Sequence, residues 1–327
     1  MKAIVIPKFG GAEVLELCEV PEPECGPEDL LVAVRATALN RADLLQRLGF
    51  YPQPGPKPAH DIPGLEYAGE VVGVGSRVEG FVTGDRVMGI LSGASYAEKI
   101  VTHHRLAVRV PENLTWQEAA AIPEAFITAH DAVSQCELGC GESVLIHAVG
   151  SGVGAAAVQV AKILGAAPII GTAGLAEKLA AAKKLGLDVG VDYKSEDFVD
   201  ATKQATEGHG ADVIVDFIAA SYLERNVRAL ATCGRMVVIG LLGGTRAELD
   251  LGTLLGKRAS IRGTVLRARP LEEKAAATRA FEKAVLPHIA SGRIRPVVDS
   301  VYPLARAADA HRYMESNANF GKIVLEV

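Results

Sequence analysis

Residues 144–162 read VLIHAVGSGVGAAAVQVAK, an apolar run, a turn holding Gly150, Gly152 and Gly154, and a helix-forming run. A strand that ends in a glycine-rich turn and passes into a helix can present backbone N–H groups to a phosphate. Set on the G-x-G-x-x-G pattern, the positions are Val149, Ser151 and Gly154; set on A-x-x-G-x-x-G, they are Ala148, Ser151 and Gly154. The backbone stays free to turn and approach a pyrophosphate, and Ser151 adds a hydroxyl. Ser151, Gly152, Val153 and Gly154 are therefore the expected cradle. A bare adenosine ribose is normally held by an Asp or Glu roughly 20 residues further on, at the end of the next strand. Here PIIGTAG puts Thr172, Ala173 and Gly174 in that place. A carboxylate there would repel a 2′-phosphate, whereas Lys178 and Tyr193, which ends the third strand, offer it a cation and a hydroxyl. These residues predict NADPH as the cofactor.

Metal and thiol chemistry find less support. His103 and His104 are adjacent, and neighbours on a strand point to opposite faces, so both are expected at the surface. His60 lies in a proline-rich loop. The five cysteines, Cys18, Cys25, Cys136, Cys140 and Cys233, are odd in number and scattered, which fits neither a disulfide framework nor a zinc cluster. Cys136 and Cys140 are one residue too far apart for a redox C-x-x-C pair and are read as structural. A reducing cytoplasm is the expected location. The net charge of -5 gives no basic field for nucleic acid or an anionic membrane. The start, MKAIVIPKFGG, is broken at Pro7 and reads as a strand rather than a signal peptide, and no apolar stretch approaches the roughly 20 residues of a membrane span.

A chain of 327 residues with 49% hydrophobic content predicts two domains. Up to about Pro111 short β-rich runs are punctuated by Gly and Pro (AIVIP, LLVAVRATAL, YAGEVVGVG, DRVMGI, YAEKIVT, LAVRVP), as in a compact, partly antiparallel β-domain. From Thr115 the rhythm changes: Thr115 and Glu118 form a capping box leading into the Ala-rich helix TWQEAAAIPEAFITAHDAV. Strand and helix then alternate: SVLIHA, PIIGTA, VGVDY, DVIVDFI and RMVVIGLLG are strands, with helices between them that include YLERNVRALATCG. That alternation predicts parallel strands in a doubly wound sheet. After a strand-like run near SIRGTVL, a helix is expected from about Leu271 to Ser291, then the strand FGKIVLEV. The irregular tail is expected to return to the first domain. The expected class is α/β, with residues 1–120 and 264–327 in a β-rich domain and 121–263 in a Rossmann cofactor domain.

Several stretches together carry a family resemblance: ALNRADLLQRLGFYPQP (38–54), PGLEYAGEV (63–71), GDRVMGI (84–90), AAAIPEAFITAHDAV (119–133), the 144–162 loop region and ANFGKIVLE (318–326). The chain resembles the medium-chain dehydrogenase/reductases, in their zinc-free quinone oxidoreductase branch. The resemblance implies a GroES-like catalytic domain and direct transfer of hydride from NADPH to a quinone, without flavin. Where alcohol dehydrogenases of the superfamily hold catalytic zinc, this chain has Asn40, Leu65 and the Pro123–Glu124 region, and MGILSGASYAE lacks the cysteines of a structural zinc lobe. Without thiolate or imidazole donors no metal is expected. The resemblance assigns Asn40 and Tyr51 to catalysis, Asn40 orienting the nicotinamide ribose or carboxamide and Tyr51 donating to the substrate oxygen or the ribose. A structural alternative packs Tyr51 against Pro52 and Pro54. Thr128 is expected to face the nicotinamide, and Gly240, Leu241 and Leu266 to line its pocket. Asp43 and Glu66 are expected to pair with each other or with Arg41. A homodimer, or a homotetramer, is the implied assembly. Two other readings stay open: an NADPH-dependent enoyl or enone reductase, and a non-catalytic NADPH-binding protein.

Overall fold

The computed structural model describes every residue except Pro52, Pro56 and Lys57. The chain divides into two compact units, Met1–Ile127 with Leu266–Val327, and Thr128–Val265.

The first unit is built on a sheet whose strands run in the order Val298–Pro303, Lys322–Glu326, Asp29–Ala38, Glu66–Val74, Arg86–Ile90 and Ala107–Arg109. The central strand Asp29–Ala38 buries Leu30, Val32, Val34 and Ala36, the period-two pattern of a strand with one face in the core. Lys99–His103 also pairs with it, and the chain's last strand lies antiparallel beside its end with Val324 opposite Ala38. That pairing brings Lys322 beside Asn40. The helix expected over Leu271–Ser291 is two helices, Leu271–Ala284 and Leu286–Ala290, broken at Val285. Pro287, at the start of the second, cannot donate to the preceding turn, and its ring crowds that turn's carbonyl.

The second unit carries six parallel strands in the order Val189–Asp192, Ile169–Ala173, Val144–Ile146, Ala211–Asp216, Leu230–Val238 and Ser260–Gly263. This is a β-rich unit together with a doubly wound Rossmann-type sheet, an α/β architecture. The first strand of the sheet is fully buried and lies at its middle, with the chain winding outward first to one side and then to the other. Such a reversal places the loop after that strand at the ligand crevice of an open α/β sheet. The helix Gly152–Ile163 buries a run from Gly154 to Ala161, and its alanines allow close packing on the sheet.

Three local expectations are corrected. The helix of YLERNVRALATCG ends at Ala229, and Leu230 already belongs to the next strand, with Cys233 at φ +63°. The Ala-rich segment after Thr115 is also interrupted: helix Trp116–Ala120, a π-helical turn Pro123–Ile127, then helix Thr128–Gln135. Pro123 lacks the N–H that would continue the first helix, while the expected Thr115–Glu118 capping box is present. His103 and His104 do not face apart, because the strand stops at His103, and their rings stack 4.9 Å between centroids. All five cysteines are free. No helix among the described residues is long and apolar enough to cross a membrane.

Candidate active site

In the second unit Ser151 caps the helix Gly152–Ile163, its Oγ accepting the Gly154 N–H at 3.0 Å. Ala148 adopts φ +49°, and a Cβ on Gly154 would sit 2.3 Å from the Ala148 carbonyl oxygen, so the helix start can approach the loop only as glycine. The N–H groups of Gly152 and Val153 have no acceptor among the described residues, as expected of a first helical turn that is open to an anion. Lys178 lays its stem over Gly150, and the Tyr193 hydroxyl and the Lys194 stem lie over Gly174. Loop, strand end and both predicted phosphate contacts therefore meet. Lys194 was not among the expected residues, although its place directly after Tyr193 was a readable signal.

Thr172, at the position of the missing acid, is turned inward. Its Oγ1 meets His147 Nδ1 at 3.0 Å, and His147 Nε2 meets Asn226 Oδ1 at 2.7 Å. Asn226 Nδ2 in turn donates to Asp216 at 3.0 Å, and Asp216 also accepts from the Ile218 N–H. Burial pushes His147 below its ordinary range, so the ring is neutral. Because the Asn226 amide nitrogen donates to Asp216, its oxygen must accept from His147 Nε2–H, which leaves Nδ1 to accept from Thr172. Phe198 and Tyr222 close over the ring edge-on.

Gly240 lies against the Phe217 carbonyl, Leu241 is exposed, and Leu266 is buried within the first unit. Thr128 Oγ1 is buried with no hydrogen-bond partner among the described residues. An orphaned hydroxyl of that kind is what a polar ligand group would satisfy.

In the first unit, Asn40 is engaged on every side. Its N–H donates to Asp43 Oδ2 at 2.7 Å, and its Nδ2 donates to Glu66 Oε1 at 2.9 Å and the Ala38 carbonyl at 3.3 Å. Lys322 Nζ donates to Asn40 Oδ1 at 2.7 Å, to the Leu39 carbonyl at 2.7 Å and to Glu66 Oε1 at 2.6 Å. The ammonium thus spends all three protons on a closed set of oxygens. Glu66 pairs with Lys322 rather than with Asp43 or Arg41, since the final strand delivers a cation that no local pattern announces. Arg41 instead reaches Asn317.

Asp43 accepts from the Gly64 N–H at 3.1 Å and from the Tyr96 hydroxyl at 3.1 Å. Burial pushes its carboxyl up to about 6, against the opposing pull of the Asn40 N–H and Lys322. Behind Tyr96, His311 stands 3.3 Å from the Tyr96 oxygen and 3.3 Å from Arg47 Nη1, and Arg47 is itself buried. Burial and the Arg47 charge push His311 down to about 3.

Tyr51 lies under the Arg267 guanidinium, 4.8 Å from its ring centroid, and its carbonyl accepts from Arg267 at 2.9 Å. Burial, then the Glu124 carboxyl, raise the phenol above its ordinary range, so it stays a donor. Of its flanking prolines, Pro52 lies outside the described residues. Arg267 is held further by the Ser92 carbonyl and by Gln46 Oε1 at 2.6 Å. Glu124, on the π-helical turn, donates its N–H to Glu66 Oε2 at 2.8 Å. Burial first, and Glu66 next, push its carboxyl up to about 8. Arg267, Lys322 and the raised carboxyl of Glu124 were not announced by the sequence pattern.

Residues 26–132 match the model of the alcohol dehydrogenase GroES-like domain, and residues 152–283 that of the zinc-binding dehydrogenases. A quinone oxidoreductase of Lama guanicoe is 33% identical over 99% of this chain and 97% of its own length. The chain belongs to the medium-chain dehydrogenase/reductase superfamily. Within it the protein is a quinone oxidoreductase-like, nicotinamide-dependent oxidoreductase. An Escherichia coli quinone oxidoreductase solved with NADPH superposes with a TM-score of 0.90 at 31% identity, each chain covered in full. A solved NAD-dependent alcohol dehydrogenase reaches 0.90 at 36% identity, again with full coverage. Leu65 is buried. Among the described residues no three His, Cys, Asp or Glu side chains group as metal ligands.

Proposed function

We propose that the chain is a zinc-independent NADPH:quinone oxidoreductase, with residues 128–265 binding the cofactor and residues 1–127 and 266–327 forming the catalytic domain. The observation that carries the cofactor choice is the end of the strand Ile169–Ala173. Gly174 there lies under the Tyr193 hydroxyl, with Lys178 and Lys194 nearby and Thr172 turned into the core. A 2′-phosphate finds two cations and a hydroxyl, and positions 172–174 hold no carboxylate. The free N–H groups of Gly152 and Val153 and the unpartnered Thr128 hydroxyl also fit such a ligand.

Bound NADPH would supply a hydride. Ser151, Gly152, Val153 and Gly154 bind its pyrophosphate, Lys178, Tyr193 and Lys194 its 2′-phosphate, and Thr128, Gly240 and Leu241 are assigned to the nicotinamide pocket. Asn40 is fixed by Glu66 and Lys322 and serves positioning. Tyr51, kept protonated, donates to the acceptor oxygen. At the positions where the resemblance sets the superfamily's zinc ligands, Asn40 and Glu124 offer hydrogen-bonding groups in place of thiolates and imidazole, and Leu65 offers none. That favours an acceptor such as a quinone, which takes up hydride readily because its product is aromatic. A homodimer fits the open edge of the strand Ser260–Gly263 and the nearby exposed Leu251 and Leu255, and sedimentation would read its mass.

Competition between an ortho-quinone and an enoyl thioester, with NADPH as donor, tests the assignment. Faster consumption of the quinone supports it. Preference for the thioester would reassign the chain to enoyl reduction, and tight NADPH binding without consumption by either would make it a binding protein.

A further inference from the structure

Beside the residues already assigned stands one acid that the reaction has not used. Glu124 sits on a π-helical turn, where the extra residue changes the direction in which a side chain is presented; such turns are frequent at functional sites. Its N–H is anchored on Glu66, the same carboxylate that holds Asn40 and Lys322. Among the described residues its own carboxyl oxygens take no hydrogen bond and no ion pair, and the side chain is half-buried rather than sealed. The charged and titratable groups facing it are Glu66 from the strand Glu66–Val74, Asp43 from the helix Arg41–Arg47, Lys322 from the final strand, Arg267, Lys274 from the helix Leu271–Ala284, and Tyr51.

We propose that Glu124 is the acid that protonates the reduced acceptor. The inference rests on the quinone reductase reading and adds a catalytic residue to it. An acceptor carbonyl that has gained two electrons and one hydrogen from the nicotinamide is left as an oxyanion. The Glu124 O–H bond breaks, a new O–H bond forms on that oxygen, and the carboxylate is left facing Lys322, Arg267 and Lys274 until water returns its proton. The position of its titration, about 8, keeps the acid loaded at neutral pH.

The test combines a direct titration with kinetics. In protein labelled with carbon-13 at glutamate Cδ, one carboxyl should titrate near pH 8 and be lost in Glu124→Gln; titration of Glu124 in the ordinary carboxylate range overturns the proposal. With NADPH and an ortho-quinone, wild-type kcat should fall as pH rises through about 8. Glu124→Gln should lower kcat at pH 7 by about 100-fold and remove that limb, whereas Tyr51→Phe should keep it. An alkaline limb that survives in Glu124→Gln overturns the proposal. If an enone is turned over and quinones are not, the quinone reading fails alone, and the same pH comparison with the enone decides the role of Glu124. Turnover of neither acceptor overturns both.

Discussion

Two buried polar networks, one in each unit, solve different problems with different chemistry. In the second unit Thr172, His147, Asn226 and Asp216 form a chain in which the histidine is neutral and each donor meets one acceptor. That chain holds the ends of three strands and the turn after the first of them. In the first unit Lys322, Glu66, Asp43, Glu124 and Arg267 concentrate ionisable groups around Asn40 and Tyr51. A phosphate-binding loop needs a fixed backbone, which neutral hydrogen bonds provide. Chemistry on a carbonyl needs protons and fields held in place, and that requires ionised groups kept from water.

The contrast breaks most visibly at Lys322. Lys322→Met strands Glu66 in the core without its cation, and should cost about 3–5 kcal/mol in urea unfolding. Thr172→Val, which leaves His147 Nδ1 and the Ala148 N–H unmatched, should cost about 1–3 kcal/mol. Equal costs would mean that the ionic core is no different in kind. Next in size is the cofactor: Lys178→Ala should weaken NADPH binding about tenfold by calorimetry and leave NADH unchanged, the loss of one charge-assisted contact. A pH series of melting temperatures sharpens the comparison further. His311, lowered from 6.5 to about 3, and His147, also lowered, both favour the folded state above their unfolded values, so stability is lost as the pH falls. Glu124 acts in the opposite sense. Its raised titration favours the folded state below 4.5, and that contribution is lost as pH rises through about 8. Glu124→Gln should remove this decline alone. The smallest effect on the fold belongs to Tyr51→Phe, which should leave the melting temperature in place while lowering kcat.

How much of this was readable follows the same division. The turn Ser151 to Gly154, the acid-free strand end Thr172 to Gly174, and Lys178 and Tyr193 lie within one stretch of alternating strand and helix, where spacing along the chain fixes proximity. The parallel sheet was legible for that reason. The ionic core joins residues 40, 43, 66, 124, 267 and 322, and contacts far apart along the chain make them neighbours: Asp29–Ala38 pairs with Glu66–Val74, and the last strand pairs with Asp29–Ala38. Asp43 and Glu66 were expected to pair with each other or with Arg41. Lys322, too far along the chain to be suspected, takes Glu66, while Tyr96 and two backbone N–H groups take Asp43. The helices also ended early where proline removed a donor, at Pro123 and Pro287, a local signal outweighed in the reading by alanine-rich periodicity.

The most direct test of the account follows NADPH absorbance with a small ortho-quinone in the presence of excess chelator, with NADH as the parallel donor. Rapid loss with NADPH, much slower loss with NADH and no effect of the chelator are the predicted results. Measurable NADPH binding without oxidation by any quinone, or turnover that the chelator abolishes, would contradict the account.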